Sequence, residues 1–198
     1  MVQPVLVPIG SKTSYIDAVP ASFWRKLPQH KNAKMVDPDI IDEGATLSSV
    51  TDESFDYLIA AHVLEHIDDP ISALKNWVRV VRPGGHIVIA VPDMRLCDEK
   101  ERALTTVEHF WRDHEEGPHV SADYHYREHG LNPDGYTGRK LAEYIIEHER
   151  MIHYHTFTLT SLVQFLGAFQ KIGFELVEAC FNVNEDLAVL RKVPAVDS

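Results

Sequence analysis

The chain has 198 residues, of which 44% are hydrophobic and 25% charged, as in an ordinary soluble globular protein. Its 30 acidic residues outnumber its 19 basic ones and give a net charge of −11, a balance that repels phosphate backbones and predicts no nucleic-acid partner. No segment approaches the roughly 18 consecutive apolar residues of a membrane span, so we expect no membrane partner either.

Short apolar strands alternate with helical patterns along the first half of the chain, which favours an α/β fold with a mostly parallel sheet. Phe55–Ala61 is a nearly continuous apolar run, as expected for a strand buried on both faces. Asp69 then offers a helix N-cap and Pro70 a first-turn proline. The apolar stripe of this helix comprises Ile71, Leu74, Trp77, Val78 and Val81. Pro83-Gly84-Gly85 ends the helix, and a second buried strand runs from His86 to Val91.

The pattern changes between Cys97 and His155, where eight of the twelve histidines lie. One helical face there is formed by Leu141, Tyr144, Ile145, His148 and Ile152. A polar, turn-rich segment, residues 115–139, precedes it. Because this part is too short and too polar to bury a core alone, we interpret residues 97–155 as an insertion over the sheet edge, within a single domain of residues 1–198.

The C-terminal part is regular again. Thr158 or Thr160 caps a helix that Gly173 ends. The apolar stripe of that helix comprises Leu162, Phe165, Leu166, Phe169 and Ile172. Residues 174–182 and 186–193 then predict two strands joined by an Asn-rich turn, which we interpret as an antiparallel hairpin at the sheet edge.

Two blocks of the sequence carry a resemblance to class I S-adenosylmethionine-dependent methyltransferases. Residues 55–70, FDYLIAAHVLEHIDDP, resemble the fourth strand and following turn of that family, and residues 79–89, RVVRPGGHIVI, resemble its next helix end, Pro-Gly-Gly turn and fifth strand. The spacing of the blocks also fits, and Gly173-Phe174-Glu175 with the terminal hairpin is similar to the closing strands. The resemblance implies a Rossmann-like, doubly wound, mostly parallel sheet with an antiparallel C-terminal hairpin and an insertion after the fifth family strand.

The same resemblance implies S-adenosylmethionine as the cofactor, lying across the carboxyl ends of the first four strands. Asp17, at the end of the second strand, would accept hydrogen bonds from both ribose hydroxyls. Asp39, after the third strand, would meet the adenine amino group, and the backbone amide of Ile40 would reach the ring. Ala61 and His62, just past the fourth strand, would face the methionine end.

The segment before Asp17 departs from the family pattern. In the family a Gly-x-Gly type loop lets the backbone approach the cofactor, and a helix usually follows. Here Gly10 alone is available for that approach, and six residues separate it from Asp17. Either the connection is shortened to a loop, with Val5–Ile9 as the first strand, or the chain lacks that strand.

Methyl transfer from a sulfonium depends mainly on proximity and alignment, and it needs a base only when the nucleophile is a hydroxyl or a protonated amine. His62 is the candidate catalytic residue, and its alternative role is to pack and hydrogen-bond within the turn. Residues 62–66 also match the H-x-x-E-H pattern of inverted zinc peptidases. That motif needs a helix with both histidines on one face, whereas here it follows a strand and soon meets Pro70, so we predict no zinc there.

Because polar loops over a rigid sheet commonly bind substrates, we interpret the insertion as an acceptor lid. The candidate acceptor-binding residues are Asp93, Trp111, His125 and His129. Trp111 would stack on a ring-shaped acceptor, and Asp93 would touch hydroxyls or, as the alternative, cap a helix. A divalent metal held by Asp123, His125, Glu128 and His129 is a further alternative, but no two of these show a strict metal spacing, so we predict no metal.

The sequence therefore predicts S-adenosylmethionine-dependent methyl transfer to a small polar acceptor, such as a sugar or glycan precursor. The alternative is a catalytically inactive, methyltransferase-like binding or regulatory protein that has lost its glycine loop. Met1–Pro8 lacks the features of a secretory signal, and Cys97 and Cys180 are interpreted as two reduced thiols rather than a disulfide, which together predict a cytoplasmic location. The sequence gives no indication of the oligomeric state.

Overall fold

The computed structural model describes residues 7, 10–27, 32–97, 99–128 and 152–193. The elements in chain order are β1 (Ile16–Asp17), α1 (Ala21–Trp24), β2 (Ile40–Ile41), β3 (Phe55–Ala61), α2 (Pro70–Val80), β4 (Val81–Pro92), α3 (Val107–Glu116), α4 (Ala122–Glu128), α5 (Leu159–Ala168), β5 (Phe174–Asn182) and β6 (Glu185–Lys192). The predicted first strand lies outside the described residues apart from Val7, as does the predicted helical face apart from Ile152.

The main sheet has four strands in the order β3-β4-β6-β5. β3 and β4 are parallel, whereas β6 is antiparallel to both β4 and β5. A separate two-stranded parallel sheet joins β1 to β2. The α/β class and the antiparallel C-terminal hairpin are confirmed, but among the described strands two pairings are parallel and two antiparallel, a smaller parallel share than the sequence predicts.

The predicted caps of α2 and α5 are confirmed. Asp69 accepts a hydrogen bond from the Ser72 amide at 3.0 Å, and Pro70 occupies the first turn of α2. Thr158, rather than Thr160, caps α5 in a reciprocal capping box with Ser161. Gly173 follows with φ +117°, a left-handed conformation that favours glycine and ends the helical segment.

The Pro-Gly-Gly segment lies inside β4 rather than before it. α2 ends at Val80 and β4 begins at Val81. Val81 pairs with Phe55 and His86 with Tyr57, so β4 has extra residues between these two pairs. The intervening residues form a bulge that requires glycine, because a Cβ on Gly85 would lie 2.6 Å from the carbonyl oxygen of Asp56. The predicted start of this strand at His86 is therefore corrected to Val81.

The helices α2, α3 and α5 pack against one face of the main sheet. The core joins side chains of α2, α3 and α5 to the sheet residues Ile87, Ile89 and Leu190, none of which is solvent-exposed. On the opposite face Ile59 and Val88 are only partly buried. The prediction that Phe55–Ala61 is buried on both faces is wrong, since α1, the described helix before β3, has only four residues.

The insertion begins with a helix that belongs to the main core. Phe110 of α3 is 1% exposed, and its ring centroid lies 4.4 Å from that of Phe165 in α5. Phe157, just before α5, stacks on it from another side at 5.7 Å. Instead of lying wholly over the sheet edge, the insertion thus contributes α3 to the core. No helix among the described residues is long and apolar enough to cross a bilayer.

Candidate functional site

The first candidate cofactor residue, Asp17, is at the carboxyl end of β1. Its carboxylate accepts hydrogen bonds from the indole nitrogen of Trp24 and from the amide of Val19, both at 3.1 Å. These contacts orient the side chain at the strand end. Gly10 is exposed in a turn at φ +87°, with nothing within 4 Å of its Cβ position.

The structure shifts the second acidic position. β2 begins at Ile40, so Asp39 precedes this strand instead of following it. The Asp39 carboxylate accepts from the Tyr15 amide at 2.8 Å, and its own amide donates to the Tyr15 carbonyl at 2.8 Å. Asp39 therefore links the starts of the two short strands, and Asp42 is the acidic residue that directly follows β2.

Asp42 organises the loop after β2. Its two carboxylate oxygens accept hydrogen bonds from Ser48, from the amide of Glu43, and from both the amide and the hydroxyl of Ser49. Burial alone would raise the pKa of Asp42, but the bonds from Ser49, Ser48 and Glu43 outweigh it and lower this pKa to about 2. The carboxylate is thus anionic at any physiological pH. Because β2 is only two residues long, its pattern in the sequence is too short to mark Asp42 as the residue at the strand end.

His62 lies just past Ala61, at the carboxyl end of β3, in a left-handed backbone conformation with φ +53°. Its Nδ1 is 3.3 Å from Oε1 of Glu65, and its Nε2 is 2.7 Å from Oε1 of Glu185. The ion-pair contact with Glu65 raises the pKa of His62, burial opposes this, and Glu185 adds to the rise, so that the pKa reaches about 9. A general base must first be unprotonated, so that role of His62 stays a prediction that this pKa does not favour.

The turn after β3 is tied to the segment that precedes α5. Nδ1 of His66 donates to the carbonyl of Ile152 at 2.7 Å, and the amide of Tyr154 donates to the carbonyl of Glu65 at 2.7 Å. Residues 64–66 form a short 3-10 turn, so no helix presents His62 and His66 as an inverted zinc peptidase would. Glu65 and His66 therefore have a structural role, because their hydrogen bonds join this turn to residues 152–154.

The candidate acceptor residues differ in exposure. Trp111 is 45% exposed, with its ring 5.1 Å from that of Phe169. Asp93 is fully buried and accepts from the amide of Arg95 at 2.9 Å, which is the capping role given as its alternative. His125 is 2% exposed, so neither it nor Asp93 offers an acceptor an open contact in this arrangement. His129 lies outside the described residues.

His125 instead belongs to a group that we call the histidine cluster: His109, Asp113, His125 and His155. Burial, together with the neighbouring His125 and His109, lowers the pKa of His155 to about 3, so this ring is neutral. A cleft of about 460 Å³ beside the cluster is bordered by His109, Arg112, Glu116, Val120, Ser121 and Tyr124. The sequence indicates part of this cluster, because His109 and Asp113 are four residues apart and therefore lie on one face of a helix. It does not indicate His125 and His155, which come from other segments.

Asp186 is a buried carboxyl at the start of β6, opposite Val91 of β4. Neither of its oxygens has a hydrogen-bond partner among the described residues. Burial, reinforced by the negative charge of Asp93, raises the pKa of Asp186 to about 6. The ionised side chain therefore destabilises the fold at neutral pH.

We expect Asp186→Asn to raise the free energy of unfolding at pH 7 by about 1–3 kcal/mol. The folded pKa lies above the unfolded one, so the contribution of Asp186 to stability is complete below about pH 4 and is lost as the pH rises through 6. Denaturant unfolding at pH 3.5, 5 and 7 measures this, with Glu178→Gln on the exposed part of β5 as the control. A gain for Asp186→Asn that is equal at all three pH values would contradict the assignment.

Comparison with known proteins gives a family match over part of the chain. Residues 6–89 match the family model described as a methyltransferase domain. This match confirms the resemblance stated from the sequence and implies S-adenosylmethionine as the cofactor. No curated protein matches the chain in sequence.

Several solved structures are similar to the chain at low identity. A SAM-dependent methyltransferase from Methanosarcina mazei is 17% identical, with 90% of this chain and 80% of that chain covered and a TM-score of 0.45. A SAM-dependent methyltransferase from Thermotoga maritima is 17% identical, with 87% and 70% covered and a TM-score of 0.39. A methyltransferase from Haloferax volcanii, in complex with the Trm112 methyltransferase activator, is 12% identical, with 90% and 82% covered and a TM-score of 0.43.

Proposed function

Since residues 6–89 match the methyltransferase domain, we propose that this chain transfers the methyl group of S-adenosylmethionine to a small polar acceptor such as a sugar or glycan precursor. The bound cofactor would supply an electrophilic methyl group on a sulfonium. The contribution of the protein is then to hold donor and acceptor in line and to exclude water. The residues assigned to these roles lie at the carboxyl ends of β1, β2 and β3, which is where parallel sheets bind ligands.

Asp17 and the residues around β2 are assigned to the adenosine part. The Asp17 carboxylate is oriented by Trp24, and the ribose hydroxyls would donate hydrogen bonds to it. The family resemblance gives the adenine contact to the acidic residue after this strand. Asp39 bonds to Tyr15 and precedes β2, which begins at Ile40, so we assign the adenine contact to Asp42. Gly10 would approach the cofactor with the backbone of its turn. No protein atom lies within 4 Å of its Cβ position, so the described residues show no close packing that requires glycine there.

The observation that carries the proposal is the charge at the end of β3. The protonated His62 lies between the carboxylates of Glu65 and Glu185, so the group has a net charge of about −1 at neutral pH. Ala61 and His62 are the residues that the resemblance places at the methionine end of the cofactor. A net negative group suits a cationic sulfonium and ammonium, whereas an isolated imidazolium would repel them.

The acceptor is assigned to α3 and to His62 at the end of β3. Trp111 is the exposed aromatic side chain of α3 that can stack on a ring. His62, with its ring nearly half exposed, can contact a polar group of the acceptor while it remains a cation. Deprotonation of an acceptor hydroxyl by His62 would occur only in the minor unprotonated fraction at neutral pH, so methyl transfer to a sugar hydroxyl would become faster as the pH rises toward the pKa of His62.

Calorimetric titration with S-adenosylmethionine and with its demethylated product tests the proposal. We expect binding at micromolar strength, and Asp17→Asn, which keeps one oxygen for Trp24, should weaken it about 10- to 100-fold by removing the charge that accepts from the ribose. Asp56→Asn is the matched control, because its side chain is exposed at the opposite end of β3 and pairs with Arg82. Binding that is equal in both variants would remove Asp17 from the site.

A methyltransferase-like binding protein without activity is the second candidate. It is favoured by the single glycine in the shortened segment before Asp17 and by the hydrogen bonds that already engage the Asp17 carboxylate. The same titration decides between the two functions. A folded protein that binds neither ligand would establish the second candidate and overturn the first.

A further inference from the structure

The four side chains of the histidine cluster converge in the interior of the insertion. His109 and Asp113 lie one turn apart on α3, His125 is on α4, and His155 precedes α5. One ligand atom from each residue lies within 4.8 Å of all the others. Asp113, His125 and His155 are each at most 2% exposed, so the cluster is an enclosed set of three imidazoles and one carboxylate.

Three of these atoms have the spacing of a metal tetrahedron. Nε2 of His109 is 3.0 Å from Oδ2 of Asp113 and 3.2 Å from Nε2 of His125, and the last two atoms are 3.4 Å apart. Bond lengths of about 2.0–2.2 Å to a tetrahedral zinc ion place two ligand atoms about 3.3–3.5 Å apart. An ion therefore fits between these three atoms with shifts of a few tenths of an ångström.

His155 supplies an independent observation. Its Nε2 lies 3.3 Å from the carbonyl oxygen of Asp68, and since a carbonyl only accepts, this contact places the ring proton on Nε2. Nδ1 then carries a lone pair, and it is buried without a hydrogen-bond partner among the described residues. Metal-bound histidines commonly have this arrangement, in which one ring nitrogen donates to a carbonyl and the other binds the ion.

From this geometry we infer that His109, Asp113, His125 and His155 bind one zinc ion. Three imidazoles and a carboxylate suit Zn²⁺, whereas Mg²⁺ and Ca²⁺ prefer oxygen ligands. Four protein ligands leave no open position, so the ion is structural and does not activate a water molecule. The inference is independent of the proposed methyl transfer.

The surroundings of the cluster allow the ion to enter and orient its ligands. His109 borders the adjacent cleft and is the most exposed of the four residues, which gives a route from solvent. Arg112 donates to Nδ1 of His109 at 3.2 Å and to the hydroxyl of Ser121 at 3.0 Å. Zinc binding requires Arg112 to give up the first of these bonds, because Nδ1 must then carry the ring proton, and to keep the second. The hydroxyl of Ser121 also donates to the other oxygen of Asp113 and fixes that carboxylate.

A zinc ion here would fasten three segments together. It would link α3, which reaches the main core through Phe110, to α4 and to the chain that enters α5. The metal would set the position of α4 beside the cleft, which Tyr124 of this helix borders. Zinc would therefore order the part of the insertion that we assign to the acceptor.

The test uses the full chain, stripped with a chelator and then titrated with Zn²⁺ and with Co²⁺. We expect one ion per chain, a Co²⁺ absorption spectrum typical of tetrahedral coordination, and a rise of the unfolding temperature with zinc. His125→Gln and Asp113→Asn should each weaken zinc binding by at least about 100-fold. His119→Gln is the matched control, since this exposed histidine lies between the ligands in sequence but outside the cluster.

The wild type alone can overturn the inference, whether or not the variants fold. A folded wild-type chain without stoichiometric zinc binding, or with a Co²⁺ spectrum typical of six oxygen ligands, contradicts it. Binding that survives His125→Gln and is lost in His66→Gln also contradicts it, because the ion would then lie at the separate group of Glu65, His66 and His153. Binding lost only in His125→Gln and Asp113→Asn supports it.

Discussion

Replacing Phe110 by alanine is expected to lower the free energy of unfolding by about 3–5 kcal/mol. The side chain is 1% exposed, and it packs against Phe157 and Phe165, so its loss leaves a cavity where α3 meets α5. Denaturant unfolding followed by circular dichroism measures the change. The slope of the unfolding free energy against denaturant concentration should stay unchanged if the same surface is exposed on unfolding. A loss of this size would show that α3 unfolds together with the sheet.

The neighbouring aromatic residue is the matched control for this experiment. Trp111→Ala removes a larger ring from the same helix, but the ring is 45% exposed, so we expect a loss of about 1 kcal/mol or less. If Phe110→Ala also costs no more than this, the insertion is a separately unfolding unit, and its assignment to the main core fails. In a methyl-transfer assay Trp111→Ala should instead raise KM for a ring-shaped acceptor.

Replacing His62 by glutamine is expected to cost about 2–4 kcal/mol at pH 7. The Glu65 carboxylate is fully buried, and the His62 imidazolium, 3.3 Å away, is its cationic partner. Removing one member of a buried pair leaves an uncompensated charge, and the partial exposure of His62 reduces the loss below that of a fully enclosed pair. Adding Glu65→Gln should restore part of the stability, which a double-mutant cycle measures.

The pH dependence of the same pair has a defined sign. The pKa of His62 is about 9 in the folded protein and about 6.5 when unfolded, so its contribution is complete below pH 6.5 and disappears as the pH rises through 9. Wild-type stability should fall between pH 7 and 10, and that of His62→Gln should fall less. His86→Gln, an exposed histidine on β4, should follow the wild type. Parallel curves for the wild type and His62→Gln would contradict the pairing with Glu65.

Local sequence signals predict the ends of α2 and α5 and the C-terminal hairpin well. The caps by Asp69 and Thr158, the stop at Gly173 and the hairpin of β5 and β6 each depend on residues within a few positions of one another. For these elements a side chain and its backbone partner are fixed by spacing alone, so no knowledge of the tertiary structure is needed. The methyltransferase resemblance likewise depends on two contiguous blocks.

The candidate site was less accessible to sequence reasoning. β1 and β2 have two residues each, too few to show alternation, so the strand end was placed at Asp39 instead of Asp42. The pKa of His62 is raised first by Glu65, three residues along the chain, and further by Glu185, which is distant in the sequence. The contact with Glu185 could not be predicted from spacing. The histidine cluster needs three segments in contact, which no single spacing predicts.

The pairing of β4 has a consequence for the order of folding. β3, α2 and β4 are consecutive, and their contacts close short loops, so this unit can form early. The other side of β4 pairs with β6, where Ile87 meets Leu190 about a hundred residues later, a closure with a much larger entropic cost. During synthesis β4 therefore exposes an unpaired edge until β6 has left the ribosome, and that interval is when we expect this chain to depend most on chaperones.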